Sequence, residues 1–372
     1  MSVINELNTL PMSGLYIIYG QAGAIYDGPG KYGTSHLMEH LICHTFDDLR
    51  DTFQANSINH NAYTSNELVV VHFTGLTSRL EPLAKEIVAK LCGGVDVVTE
   101  EMFENEKKIV LQEYGDAFAN PIRSAMYNGL RKVYGAYGPI GERSCIENFT
   151  YADFKQTYEE KYRKPSLIIY VGPTGMNFAQ VEFNTTPASP MSMPVYSESR
   201  DIVLEKKPDI DRSLISCFSK SVCTREDSKA FEVACDMLGS GLNSPLYQEL
   251  REKSGLSYYS YSYVMRFGTD VVPFFSAGTA KETTGKVIDI YDEVFGNLDK
   301  YLTKERYDLV MNEAKVAREL HQVLRYENFD DIVTRELGYA LNDDDLDTIT
   351  FERVLEVAKR YISLPQICKY TM

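Results

Sequence analysis

Apolar and polar positions along the chain follow two periods, one near two residues and one near 3.6. Residues 14–26 (GLYIIYGQAGAIY) read as a pair of strands joined by a glycine turn. A Gly/Asp/Pro loop over 27–33 precedes the run SHLMEHLICHTF, for which Thr34 and Ser35 are N-cap candidates. Residues 61–74 end in a β-branched run and read as a strand. A helix is predicted over 78–91. A longer one opens at Thr99 and Glu101–Glu104 and runs to about Ala119, where Asn120-Pro121 ends it. Residues 151–163 have helical pattern, and Pro165 leads into the strand SLIIYVG.

The pattern lapses between about 184 and 200, where NTTPASPMSMPVYSESR carries three prolines and no apolar period. This reads as a linker. The predicted organisation is therefore 1–184, a linker over 185–200, and 201–372. The second half opens on the strand LISCFSK, followed by a helix over about 227–239 and the short helix PLYQELREKS. The alternating strand LSYYSYSYV comes next, then helices over about 283–301, 303–323 and 350–362. Both halves close alike: a helix, then Tyr162 and Pro165 before a strand in the first, Tyr361 and Pro365 in the second. The echo suggests one α+β unit used twice.

Composition narrows the function. The 372 residues include 53 acidic and 38 basic side chains, a net charge of −15, and no basic stripe stands out. Nucleic-acid binding is therefore not expected. The 26 Tyr and 17 Phe exclude disorder as the main state. No apolar run reaches the roughly 20 residues of a membrane span. The opening MSVINELNTLPMSG lacks the basic and apolar regions of a secretory signal. Seven scattered cysteines without a CxxC read as reduced residues of a cytoplasmic protein.

The chemistry concentrates in His36-Leu37-Met38-Glu39-His40, an HxxEH pentapeptide. At about 100° per residue, His36 and His40 project about 40° apart and Glu39 about 60° to the other side of His36. Two imidazoles so spaced suit a tetrahedral zinc ion, with the carboxylate in reach of a water on it. The helix over 100–119 adds to this. Its predicted apolar stripe is Met102, Phe103, Ile109, Val110 and Ala117, and Glu106 and Glu113 fall within that stripe. Buried carboxylates are costly unless they hold a metal or a basic partner. Either a third zinc ligand or a pair of salt bridges satisfies the pattern. His44 continues the series, but it projects about 80° round the helix from His36 and reads as a packed or solvent-facing residue. His60 and His72 flank the edge strand and fit no ligand role in the motif. LGSGLNSP at 238–245 lacks the lysine of a P-loop and reads as a turn. Tyr259, Tyr261 and Tyr263 share one strand face and read as packing.

HLMEH followed by E-x6-E resembles the M16 (pitrilysin-type) zinc metallopeptidases. GKYGTSHLMEHL, HNAYTSNELVVVHF, the segment from GPIGERSC to SLIIYVG, and SPLYQELREKSGLSYYSYS are each similar to family segments. The resemblance covers nearly the whole chain. It implies two homologous domains, each a mainly antiparallel sheet packed with helices, closing as a clamshell on a chamber that admits unfolded peptides. It implies zinc on His36, His40 and Glu113, with Glu39 as general base and Glu106 orienting the site. Asn61, Ala62 and Thr64 would lie on a strand that pairs with substrate, and Arg251 and Tyr258 would bind substrate carbonyls. The expected protein is a cytoplasmic zinc endopeptidase, working as a homodimer on peptides or unfolded polypeptides. The alternatives are a non-catalytic structural or assembly subunit, or a subunit that needs a different partner chain. Two departures stand out. The N-terminal strand is absent or reduced to residues 1–10, and NSINH at 56–60 replaces a glycine pair.

Overall fold

A computed structural model describes residues 3–185, 201–203, 212–268, 270–323, 333, 337 and 346–371. The predicted linker, after its first residue, lies outside them. The chain divides into two compact units. One draws on 1–116, 137–190 and 320–340, the other on 117–136, 191–319 and 341–372.

The first unit contains β1 (Val3–Leu7), β2 (Met12–Gly20), α1 (Thr34–Cys43), α2 (Arg50–Ala55), β3 (Asn59–Thr64), β4 (Leu68–Leu76) and α3 (Thr77–Cys92). Most of α4 (Glu100–Ala119) belongs to it. The second unit takes α5 (Pro121–Tyr134), and α6 (Arg143–Asn148), α7 (Tyr151–Thr157) and β5 (Leu167–Gly172) complete the first. The strands are ordered β1-β5-β2-β4-β3, antiparallel except for β1 beside β5. The reduced N-terminal strand is thus a real edge strand, while β3 forms the opposite edge.

The second unit holds β6 (Asp201–Val203), β7 (Ser213–Ser219), α8 (Ser228–Gly239), α9 (Pro245–Tyr247), β8 (Ser260–Phe267) and β9 (Asp270–Thr279). After these come α10 (Thr284–Gly296), α11 (Leu298–Tyr301), α12 (Lys304–Val323), α13 (Phe351–Tyr361) and β10 (Ile367–Thr371). Its order, β6-β10-β7-β9-β8, with β6 and β10 parallel and the rest antiparallel, repeats the first sheet strand for strand. The fold is α+β, with the same sheet topology in both units.

Each core lies between one sheet face and its helices. Leu15, Ile17 and Tyr19 of β2 point to α1 and α3, packing with Leu37, Leu41, Leu80 and Ile87. The intervening Tyr16 and Ile18 are buried on the opposite face with Val70, Ile169 and Val333. In the second unit Ile215, Cys217 and Phe275 pack on Phe231, Val287 and Val357.

Four local expectations change. Residues 14–26 hold one strand, not two: β2 ends at Gly20, and Ala24–Tyr26 form a 3-10 turn. An apolar run buried on both faces lacks the alternation that marks a strand end. Its continuation instead braces a neighbouring turn: the amides of Gly23, Ala24 and Ile25 donate to the carbonyls of Glu67, Ser65 and Asn66. Gly23 is needed there, since a Cβ would lie 2.3 Å from the Leu68 nitrogen. Residues 61–74 span two strands. Ser65 Oγ accepts from the Glu67 and Leu68 amides at 3.1 Å and turns the chain into a hairpin. Helix α5 and strand β9 were not foreseen. Pro273 argues against a central strand, but β7 pairs with β9 only from Phe275 onward, so no β7 ladder bond is lost at the proline. On α4, Phe103, Val110 and Ala117 are buried as expected, but Ile109 is exposed.

Candidate metal centre

Helix α1 is anchored from upstream. Thr34 and Ser35 are not its caps; both lie in its first turn. The cap is Asp27. Its carboxylate accepts from the Gly33 amide at 2.7 Å, the Ser35 amide at 3.0 Å, Thr34 Oγ1 at 3.2 Å and Ser35 Oγ. An acidic group at a helix N-terminus answers the exposed amides and the dipole together. Gly33 has φ +93°, and its Cβ would sit 2.9 Å from Gly141 Cα, so no other residue fits this approach.

The anchored helix presents His36, Glu39 and His40, and α4 presents Glu106 and Glu113. His36 Nε2 lies 3.4 Å from Glu113 Oε2, and His40 Nε2 3.8 Å from Glu113 Oε1. One donor atom from each of His36, His40 and Glu113 falls within a 4.8 Å group. Ligands at about 2.0–2.1 Å from a tetrahedral zinc are about 3.3 Å apart, so the donor set fits that ion. Burial pushes the His36 ring down to about 4, with His40 as the lesser cause. The ring is neutral at pH 7 and offers a lone pair. Glu113, expected on a buried face, has a side chain 45% exposed. It is a carboxylate open to solvent whose oxygens face two imidazoles.

Glu106 is the buried member of the pair, its side chain 16% exposed. Its Oε2 lies 3.0 Å from His40 Nδ1 and its Oε1 3.0 Å from His44 Nε2. His44 is therefore neither idle packing nor solvent-facing; its other nitrogen lies 2.6 Å from Asp47 Oδ2. Helical projection missed this because α1 ends at Cys43 and the chain tightens into a 3-10 segment over His44–Leu49. His60 packs against Phe46, Phe53 and Phe73, and His72 stacks on Tyr16. Neither belongs to the donor group.

Glu39 is 8% exposed. Burial raises its pKa above the usual carboxylate value. Thr64, at the end of β3, donates from Oγ1 to Glu39 Oε2 at 3.1 Å. The structure thus places Thr64 on the carboxylate as well as on the edge strand. Asn61 and Ala62 lie on the same strand, and the Ala62 amide donates to Asn61 Oδ1 at 3.0 Å.

In the second unit, Arg251 and Tyr258 come together at the surface. The Arg251 guanidinium lies 5.0 Å from the Tyr258 ring centre and 5.2 Å from that of Tyr247, which the sequence reading did not single out. Its Nη1 donates to the Tyr258 carbonyl at 3.4 Å, and Tyr258 is 77% exposed. Tyr259, Tyr261 and Tyr263 stack in sequence at 5.7 and 6.2 Å, as packing requires.

The family model for insulinase (peptidase family M16) matches residues 10–134, and that for the peptidase M16 inactive domain matches 176–314. An uncharacterised zinc protease of Rickettsia felis is 22% identical over 82% of this chain and 79% of its own length. One of Rickettsia bellii is 23% identical over 66% of this chain, and the match spans 63% of that relative. The solved structure of a Helicobacter pylori protease superimposes with a TM-score of 0.80 at 18% identity, covering 99% of this chain and 96% of that one. With the two family models matched in chain order, and the HxxEH helix and its distal glutamate both inside the first match, the chain belongs to peptidase family M16.

Proposed function

We propose that this chain is a zinc-dependent endopeptidase acting on peptides or unfolded segments. The observation that carries the reading is the meeting of His36, His40 and Glu113 donor atoms beside a buried Glu39. A zinc ion held there supplies Lewis acidity, which polarises a scissile carbonyl and acidifies water. The chain's own residues do the rest. Glu106 accepts from His40 Nδ1, which fixes the tautomer whose Nε2 lone pair is free. Glu39 takes a proton from the attacking water and later passes it to the leaving amine. Its raised pKa makes it a stronger base than a solvated carboxylate, and the Thr64 bond to Oε2 leaves Oε1 for the proton.

Substrate binding follows from the open edge at β3. An extended peptide adds there as a further strand, alongside Asn61, Ala62 and Thr64. Main-chain pairing reads backbone, so sequence preference is expected to be loose. Arg251 and Tyr258 are assigned to substrate carbonyls. Held against two tyrosine rings, the guanidinium loses less freedom on binding than a solvated one. Arg251→Ala is expected to lower kcat/KM about ten- to hundred-fold, the worth of a hydrogen bond to a charged group, with zinc content unchanged. Unaltered peptide kinetics would remove Arg251 from the binding surface.

The active unit is proposed to be a homodimer. Light scattering is expected to return the mass of two chains, and a monomer that still cleaves peptide contradicts it. The scattered cysteines support action in the cytoplasm, and no described helix is long and apolar enough to cross a membrane. A second reading, a non-catalytic assembly subunit, draws on the "inactive domain" name of the model matched over 176–314. That stretch contains none of the metal-centre residues. A subunit that acts only with a different partner chain is the third reading. Zinc-dependent hydrolysis of an unstructured peptide, abolished by a chelator and restored by zinc, tests the proposal.

A further inference from the structure

We propose that His44 is a positioning residue of the metal centre: it clamps Glu106 so that this carboxylate can hold His40 as a ligand. The inference rests on the metal reading above and adds a residue which the HxxEH and E-x6-E patterns do not contain.

The two ligand histidines are supported unequally. His36 Nδ1 is buried and has no protein partner among the described residues. His40 Nδ1 has one, Glu106 Oε2, at 3.0 Å. Control of ligand tautomer by an outer carboxylate therefore falls on Glu106 alone. A glutamate is a poor clamp by itself, because its terminal torsion is broad. Here the second oxygen is tied down. Glu106 Oε1 lies 3.0 Å from His44 Nε2, so the carboxylate spans two imidazoles one helical turn apart on the opposite element.

His44 is fixed in turn by Asp47. A kink at Phe46 within the His44–Leu49 segment brings Asp47 back to His44, with Oδ2 2.6 Å from Nδ1. A carboxylate oxygen only accepts, so the bond to Glu106 takes the His44 proton on Nε2, with Nδ1 facing Asp47. Asp47 Oδ1 forms an ion pair with the exposed Arg50 at 2.7 Å. A line of paired polar groups thus runs His40, Glu106, His44, Asp47, Arg50 from the metal donors to the surface. The side chains of Glu106 and His44 are 16% and 15% exposed, which limits how well water can replace a lost donor.

The test compares zinc affinity of the purified full chain, measured without substrate by competition with a chelator of known affinity. His44→Phe keeps a ring and removes both ring nitrogens. It is expected to weaken zinc binding about ten- to hundred-fold, the cost of removing an outer partner of a metal ligand. His44→Gln places an amide donor near the position of Nε2 and is expected to recover most of that loss. His44→Asn reaches toward Asp47 only and is expected to fall with the Phe variant. Nitrogen-15 NMR of the zinc-free protein adds a readout that packing alone does not move. His40 is expected to carry its proton on Nδ1 in the wild type and to populate both tautomers in His44→Phe. Wild-type affinity and tautomer in a folded His44→Phe overturn the proposal. If that variant does not fold, equal affinities of the Gln and Asn variants overturn it. A wild-type chain that takes up no zinc overturns the metal reading itself, and this inference with it.

Discussion

Glu39→Gln is expected to abolish measurable peptide hydrolysis while leaving zinc content full. The glutamine is nearly isosteric and retains an oxygen to accept the Thr64 hydroxyl, so the edge strand and α1 keep their contact. What it loses is the capacity to take a proton. General-base catalysis contributes about 10²–10⁴-fold, and the loss should appear in kcat with little change in KM. Glu39 lies beside the donor group rather than in it, so metal retention is unaffected. Equal cleavage by wild type and variant would show that the proton goes elsewhere.

Glu113→Gln carries the second large effect, and its signature is the reverse. A neutral amide is a poor zinc ligand, so the variant is expected to purify without metal. The loss of affinity should exceed the about ten- to hundred-fold that outer partners cost. The fold itself should hardly notice. Glu113 is 45% exposed and its neighbours are two imidazoles, so the zinc-free variant should match the zinc-free wild type within about 0.5 kcal/mol, as a surface substitution does. Full zinc occupancy in this variant would refute the ligand assignment.

The sequence carried the site more fully than its surroundings. The HxxEH spacing is short and lies on one regular helix, so helical geometry alone placed His36, Glu39 and His40 on one arc, where the structure has them. Glu106 and Glu113 were legible because seven residues bring a helix back to nearly the same face. Burial was legible for Glu106 but not for Glu113: α4 keeps Phe103 and Val110 inside but exposes Ile109 and nearly half of Glu113. His44 was misread because its position depends on where α1 gives way to a 3-10 turn, and nothing in HLICHTF marks that point. The cap of α1 was misassigned for a related reason. Asp27 reaches it through a loop closed on Gly33, a contact that local cap patterns do not register. In the second half, β9 was hidden by Pro273, whose tolerance there depends on how far β7 extends. The repeated strand order was visible only as a faint echo at the two domain ends, since parallel pairing of the first and last strands is a long-range feature. Arg251 and Tyr258 drew notice through their likeness to the family alone, whereas Tyr247 completes the stack from one turn away on the same helical segment.

The central claim is that the His36, His40, Glu113 and Glu39 constellation hydrolyses peptide bonds. Its most direct test is mass spectrometry of an unstructured peptide mixture incubated with zinc-loaded wild type and with zinc-loaded Glu39→Gln. New internal cleavage products are expected with the wild type and none with the variant. Intact peptides in both reactions, with zinc fully bound, would contradict the claim and favour a subunit that does not catalyse on its own.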